Sequence, residues 1–509
     1  HQPGVDVIFP DIAFLEDVRK DIVGIVITHA HEDHYGALLE LWPALERPVY
    51  CTAFVAGLLD AKAARFGEYD AVPTRVVEQG DTVEIGPFQV EFIPVSHSIP
   101  EPNALLITTD AGRVLHTGDW KLDPTPGVGK ATNIDRLKAI GKSGGVDTLL
   151  CDSTNAMREG VSPSEEEIEA NLTRLIKEAP HRVAVTTFSS NVARIRAIAR
   201  AAEAADRKVV LLGAAMKRVV DVSRELGYLD DVPPFISEAE FGYLPREKVL
   251  VLLTGSQGEP RAALARISRD EHRDIAFSKG DMVIFSSRAI PGNEKVIGNI
   301  INRLVAMGLE VITDREEVVH VTGHPRRNEL LQMYEWVKPR SLVPVHGEPM
   351  HLRAQARLAQ EAGISDVMVI GDGDMVHIAP HALQKVDEIH SGILVRDGSL
   401  IRDEEGAGVP ERRKLSFAGV VHVALVLDNK GELMDDPAVE LVGLPLEDDD
   451  DDYFEDIVFN TVFQTVEDFP RKRRKEEAAL KDVVSRAVRS KVNQLWGKKP
   501  ICSVLVLKV

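Results

Sequence analysis

Residues 29–34 read His-Ala-His-Glu-Asp-His, which packs His29, His31, Asp33 and His34 into one short stretch. Few features restrict a fold more. The run before it, Ile22 to Thr28, is short, apolar and β-branched, the pattern of a buried strand. Side chains two apart on an extended segment point to the same side, so His29 and His31 face one position. Asp33 and His34, at a following helix start, turn toward a second. Imidazole and carboxylate groups without thiolate suit zinc, with manganese the alternative, and two such ions about 3.5–4 Å apart form a common hydrolytic arrangement. Four side chains cannot complete two sites of three or four protein ligands each. His97, Asp119 and His346 are the candidates for the rest.

Strand-like runs precede these candidates. Phe88 to Val95 leads into Ser96-His97-Ser98, and Ala104 to Thr108 and Val114 to Thr117 alternate into Gly118-Asp119. Asp147 to Leu150 runs into Cys151-Asp152, and Leu342 to Val345 into His346. Ligand types at strand ends predict a sandwich with its site along one edge. His116 reads as a supporting residue. Ser162-Pro163-Ser164 with Glu167 reads as a helix start with a capping box, continued by Ile168, Leu172, Leu175 and Ile176 at helical spacing. Val183 to Thr187, Lys208 to Leu212, Val249 to Thr254 and Asp281 to Ser286 are predicted strands between Ala- and Arg-rich helices, the pattern of a parallel α/β domain. Short strands resume at Leu342 and at Val367 to Ile370. After Leu383 the chain meanders, and it ends in a strand at Ser503 to Lys508.

A chain of 509 residues exceeds what one core supports, so two or three domains are expected. Its apolar runs fall short of the roughly 18 residues that span a bilayer, and no signal pattern opens it, so no membrane association and a cytoplasmic location are expected. Three scattered cysteines, Cys51, Cys151 and Cys502, exclude a disulfide framework and a Cys-x-x-Cys metal cage. The formal charge of −20 runs against nucleic-acid binding, which ordinarily leaves a basic footprint. Local charge therefore matters. Arg326-Arg327 and the run Arg471 to Lys475 are basic, and Glu447 to Asp452 is acidic; such runs are ordinarily solvated faces.

The series His29, His31, Asp33, His34, then His97, Asp119 after Gly118, and His346 resembles the metallo-β-lactamase superfamily. Asp152 in C-D-S-T-N, His324 in T-G-H-P-R-R-N-E-L and His346 in V-P-V-H-G-E resemble the three signature positions of its β-CASP subgroup, whose members cut nucleic acids. Cys151 to Ala156, Thr187 to Asn191, Leu253 to Pro260 and Phe285 to Glu294 resemble the bacterial ribonuclease J family, and the likeness extends over nearly the whole chain. Two departures stand out. The family's upstream Asp-x-Gly segment is absent before His1, so first strands and an orienting Asp are expected to be missing. The stretch after His324 reads Pro-Arg-Arg where many members carry small residues.

The resemblance implies an α/β chain: a metallo-β-lactamase αββα sandwich with an inserted β-CASP α/β domain and a small α+β C-terminal domain. Its boundaries would be residues 1–163 and 325–385 for the sandwich, 164–324 for the insertion, 386–411 for a linker and 412–509 for the C-terminal domain. It assigns His29, His31 and His97 to one Zn2+ and Asp33, His34 and His346 to a second, with Asp119 bridging, two ions per subunit. The implied activity is 5′-to-3′ exonucleolytic and endonucleolytic hydrolysis of 5′-monophosphorylated RNA in maturation and decay. His324 is expected to donate a proton or orient the phosphate, with Asp152 orienting His324. Substrate contacts are expected at Phe188, Ser189, Ser190 and Asn191 and at His320, Val321, Thr322, Gly323 and His324, although a Ser-Ser-Asn turn can equally be a plain helix cap. A homodimer or homotetramer and membership of an RNA-degradation complex are implied. The alternatives are a β-CASP nuclease that acts only endonucleolytically or on another polynucleotide, and a silent RNA-binding scaffold; filled ligand positions speak against the scaffold.

Overall fold

The computed structural model describes residues 4–67 and 72–509. These form two compact units, one spanning Ile12–His390 and one made of the chain up to Asp11 with Ser391–Val509.

The larger unit holds a seven-stranded sheet ordered Asp366–Val367, Pro339–Val345, Val146–Asp152, Gly112–His116, Asn103–Thr109, Phe88–Pro94 and Thr82–Ile85. The first four run parallel and the rest alternate antiparallel. A parallel three-stranded sheet, Ile25–Val26, Val49–Cys51 and Thr74–Val76, packs on it. Tyr50 and Val77 meet Val90, Phe92 and Leu105 between the sheets. Helices cover both outer faces: Ile134–Lys142, Arg327–Val337 and Pro349–Glu361 lie on the large sheet, and Leu38–Leu45 and Ala53–Phe66 on the small one. This is the αββα sandwich. Its apolar layers each bury one side of a sheet, which is what alternation along Phe88–Pro94 dictates.

Val146–Asp152 pairs in parallel with Pro339–Val345, Asp152 lying opposite Val345. Between these neighbours the chain builds a second, wholly parallel sheet ordered Lys208–Leu212, Val249–Leu253, Val183–Thr186, Met282–Phe285 and Glu310–Ile312. The insertion is thus visible in the pairing. Strand order reverses direction at Val183–Thr186 and Met282–Phe285, so the loops leaving those two strands border a crevice of the kind that receives ligands in open α/β sheets.

Several expectations need correction. The strand expected over Ile22 to Thr28 is only Ile25–Val26, although Ile27 N still donates to the Tyr50 carbonyl at 3.0 Å, and Gly24 before it lies so close to the Tyr50 ring that a Cβ would sit 2.9 Å from it. Val367 to Ile370 shrinks to Asp366–Val367 at a sheet edge. At the helix Glu165–Glu178, Ser164 is the N-cap and accepts from the Glu166 N–H rather than from the Glu167 N–H that a capping box requires, while the Glu165 N–H donates to the Asp123 carboxylate. The stretch expected as a linker, 386–411, holds the paired strands Ile393–Asp397 and Leu400–Arg402 and the end of Gln384–Glu388, and the division between the two units falls within it. Val7–Pro10 pairs antiparallel with Ile393–Asp397 in the smaller unit.

The rest of the smaller unit is a sheet ordered Ala438–Val442, Val420–Leu427 and Ile501–Lys508, one face covered by the helices Phe454–Asp468 and Glu477–Trp496. In the basic run, Arg474 is buried and donates to the carbonyls of Phe469, Gly431 and Glu467, so that one residue is structural.

Candidate active site

The strands Phe88–Pro94, Gly112–His116, Val146–Asp152 and Pro339–Val345 run in one direction, and their C-terminal ends deliver His97, Asp119, Asp152 and His346 to one edge. The turn after Ile25–Val26 brings His29, His31, Asp33 and His34 to the same place. Asp119 Oδ2 is the hub. It lies 3.6 Å from His29 Nε2, 3.2 Å from His34 Nε2, 3.7 Å from His97 Nε2 and 3.5 Å from His346 Nε2. His31 Nδ1 is 3.0 Å from His97 Nε2, and Asp33 Oδ2 is 3.2 Å from His346 Nε2 and 3.5 Å from His34 Nε2.

Three donor sets share Asp119: His29, His31 and His97 form one, Asp33, His34 and His346 a second, and Asp152, His324 and His346 a third. Four donors at bonding distance around a tetrahedral zinc stand about 3.4 Å from one another, which matches these separations. The Nε2 atom of His29 is buried without a hydrogen-bond partner, a costly arrangement that a cation resolves. The residues present fit metal ions.

Three of the rings are aimed by a bond at the far nitrogen. His97 Nδ1 donates to the Gly323 carbonyl at 2.6 Å, His29 Nδ1 lies 3.0 Å from Thr28 Oγ1, and His346 Nδ1 lies 2.9 Å from Thr154 Oγ1. Burial and neighbouring imidazoles hold His29 and His97 well below the usual histidine range, and burial takes His31 down to about 4. His34 and His346 go the other way. Burial opposes their charge, but bonds to Asp119 and Asp33 raise His34 to about 9, and bonds to Asp152 and Asp33 raise His346 to about 11. Asp33 and Asp119 resist desolvation and stay below the carboxylate range because these imidazoles face them.

Beside the cluster, His324 Nδ1 lies 2.7 Å from Asp152 Oδ2, and the His324 ring stacks on His346 with centroids 5.4 Å apart. Burial would depress His324, but the Asp152 carboxylate overrides it and raises its pKa. His116 is taken down to about 4 by burial and by His34.

The expected substrate residues divide. Phe188, Ser189 and Ser190 are partly exposed on the loop after Val183–Thr186, at the strand-order reversal. Asn191 is buried and caps the helix Val192–Ala204, accepting from the Arg194 N–H, so the plain-cap reading describes its side chain. Val321 is buried, Thr322 Oγ1 accepts from Asn155 Nδ2, and Gly323 presses against His97. His320 is partly exposed with a buried, unpartnered Nδ1.

Sequence reasoning passed over Thr28, Thr154 and Glu329. Thr154 was in view within C-D-S-T-N, but its aim at His346 depends on pairing across the insertion. Glu329 is fully buried and accepts from Leu122 N, Ser162 N, Ser162 Oγ and Arg326 N, tying three segments behind the site.

Family models match in succession: a beta-lactamase superfamily domain over residues 3–186, a ribonuclease J beta-CASP domain over 180–304, a Zn-dependent metallo-hydrolase RNA specificity domain over 308–369, and a ribonuclease J C-terminal domain over 408–509. The chain is 54% identical over 507 residues to Ribonuclease J of Sinorhizobium meliloti, which spans 100% of this chain and 90% of the relative. The chain belongs to the ribonuclease J family. Other ribonuclease J relatives are those of Corynebacterium glutamicum, 36% identical over 99% of this chain and 70% of the relative, and Mycolicibacterium smegmatis, 41% identical over 84% and 76%. The ribonuclease J beta-CASP match falls on the inserted parallel sheet, and the C-terminal match on the sheet and helices of the smaller unit.

Proposed function

We infer that the protein is a zinc-dependent ribonuclease that removes nucleotides from the 5′-monophosphorylated end of RNA and also cuts internally. The observation that carries this is the gathering of six imidazole and carboxylate side chains around Asp119, with the His324–Asp152 pair beside them, in a member of the ribonuclease J family. His29, His31 and His97 would hold one ion and Asp33, His34 and His346 the other, with Asp119 between. The thiolate-free donor set favours zinc, with manganese the alternative. When bound, such a pair supplies Lewis acidity that activates water near neutral pH and offsets charge on the phosphate.

The chain's own groups do the rest. Thr28, Gly323 and Thr154 keep the ring nitrogens of His29, His97 and His346 aimed inward. Asp152, facing the His324 Nδ1, favours the protonated ring and leaves Nε2 to protonate the departing 3′ oxygen. The reversal-point loop Phe188–Ser190, with the His320–His324 segment, would seat the 5′ phosphate through hydroxyl and N–H donors. Among the described residues no helix is long and apolar enough to cross a membrane. We place the protein in the cytoplasm, as a homodimer or homotetramer open to an RNA-degradation complex. Leu505, Leu507 and Val442, exposed on the uncovered sheet face of the smaller unit, support self-association.

Product analysis on a long 5′-monophosphorylated RNA tests the reading. Mononucleotides released from the 5′ end by the zinc-loaded protein, and none by Asp119→Ala, are expected; wild-type rates in Asp119→Ala would refute it.

A further inference from the structure

A protein with a formal charge of −20 must gather positive charge locally to hold a polyanion, and one place does so. The His320–His324 segment is clasped from both sides by arginine-bearing loops. On one side Ser286 Oγ donates to the Val319 carbonyl at 2.7 Å, which sets Arg288, two residues on, beside the segment. On the other, Asn155 Nδ2 bonds Thr322 Oγ1 and the His324 carbonyl, and Arg327 N donates to the Arg158 carbonyl at 2.9 Å, which brings Arg158 next to Arg326. The like charges of Arg288 and Arg326, after burial, lower the Arg158 pKa, and Arg158 and Arg288 both help to hold His320 neutral.

Acid is scarce here. Asp314 bonds Arg288 Nε at 3.1 Å, and the neighbouring acids Glu165 and Asp123 are committed to the buried Arg194 and Lys121. Arg326 Nε is buried without a partner. Asp314 is the carboxylate that acts on both Arg288 and Arg158, and Arg158 also feels the like charges of Arg288 and Arg326, so positive charge is in excess until an anion arrives. Arg158 and Arg288 are exposed, and the three residues come from three separate loops on both sides of the domain junction. A single bound phosphate calls for convergent buried donors, whereas dispersed, exposed cations suit a chain of phosphates.

We propose that Arg158, Arg288 and Arg326 form a collar that binds successive backbone phosphates of a single-stranded RNA running past the His320–His324 segment. The inference rests on the ribonuclease reading and extends it to the nucleotides downstream of the terminal one. Arginine is suited to the task because its planar fork pairs with phosphate oxygens. The collar sets affinity and salt sensitivity for long strands, while the chemistry stays with the cluster around Asp119.

The test compares wild type with the triple variant R158Q/R288Q/R326Q and with R158K/R288K/R326K, each zinc-loaded. Anisotropy of a fluorescent 20-nucleotide single-stranded RNA is read in the His324→Ala background, and KM and kcat are read with His324 intact. Each lost phosphate contact flattens the slope of log affinity against log salt by about 0.7, so the Gln variant should lose about 2 from that slope. KM for the long RNA should rise with little change in kcat, kcat/KM on a 5′-phosphorylated dinucleotide should hold, and the Lys variant should restore most of the slope. An unchanged slope in the Gln variant, or an equal loss on the dinucleotide, overturns the collar. If the protein cuts no RNA yet binds it with an arginine-dependent slope, the ribonuclease reading falls and the collar stands.

Discussion

The Asp152 carboxylate is fully buried and spends its two oxygens on different partners: Oδ2 faces His324 Nδ1 at 2.7 Å, and Oδ1 accepts from the Thr154 N–H at 2.9 Å. It both charges His324 and fixes the loop that carries Thr154. His324→Ala should lower kcat about 10²-fold or more with zinc content unchanged, as expected for loss of a proton donor. Asp152→Asn should lower kcat as well and move the alkaline limb of the pH profile to lower pH, since the charge that raises His324 is gone. Single-turnover rates with parallel metal analysis decide both, and loss of zinc in His324→Ala would make that residue a ligand instead.

Metal uptake should release protons. With His34 raised to about 9 and His346 to about 11, both rings are protonated at pH 7 before metal binds, and each must surrender its proton to become a ligand. The sign follows: affinity rises with pH until both rings are neutral, above about 11, and falls most steeply below about 9, where two protons must leave. Zinc titration calorimetry at pH 7 in buffers of different ionisation heat should show about two protons released per site pair. No buffer dependence would mean that these rings are already neutral.

Gly323→Ala should damage the metal centre without touching a donor atom. An added Cβ would meet His97 Cε1 and Nδ1 at 2.6 Å and Ser98 Oγ at 2.8 Å, so the ring must rotate away from its carbonyl partner. Loss of such an outer bond ordinarily costs about 10–100-fold in metal affinity. Competition with a chromophoric chelator would measure it, and wild-type affinity would show that the ring has room to yield.

Glu329→Ala should destabilise the sandwich by about 3 kcal/mol or more, because four donors lose a buried acceptor together. Denaturant unfolding of the two proteins makes the comparison. Glu329→Gln, which keeps one acceptor oxygen, should fall between them.

The fold and the clustered donors were legible for one reason: strands with apolar faces end in His or Asp, and a 2-residue period together with polar ends reads directly from the chain. His97 and His346 lie far from residues 29–34 in sequence, yet their donors fall within the same few ångströms. What stayed hidden depends on contacts that no local pattern encodes. The Gly323 carbonyl is turned toward His97 Nδ1, a bond between residues 226 apart that no local pattern announces. Asn191 was likewise spent on capping its helix. The strands around the stretch 386–411 were hidden because they are short and, as in Gln384–Glu388, exposed and largely polar, and lack an apolar alternation to announce them.

The direct pairing of Val146–Asp152 with Pro339–Val345 also has a consequence for how the molecule is made. Thr154 and His346, which touch, are 192 residues apart in the chain, and the whole inserted sheet lies between them. During synthesis the His29–His34 stretch, His97 and Asp119 emerge early, but the second donor set lacks His346 until the insertion has been translated and the later strand can zip alongside the earlier one. Such a long-range closure is slow compared with local folding. A half-made chain on the ribosome, surrounded by messenger RNA, therefore carries an incomplete cutting centre, and catalytic competence arrives only after the inserted domain has been translated.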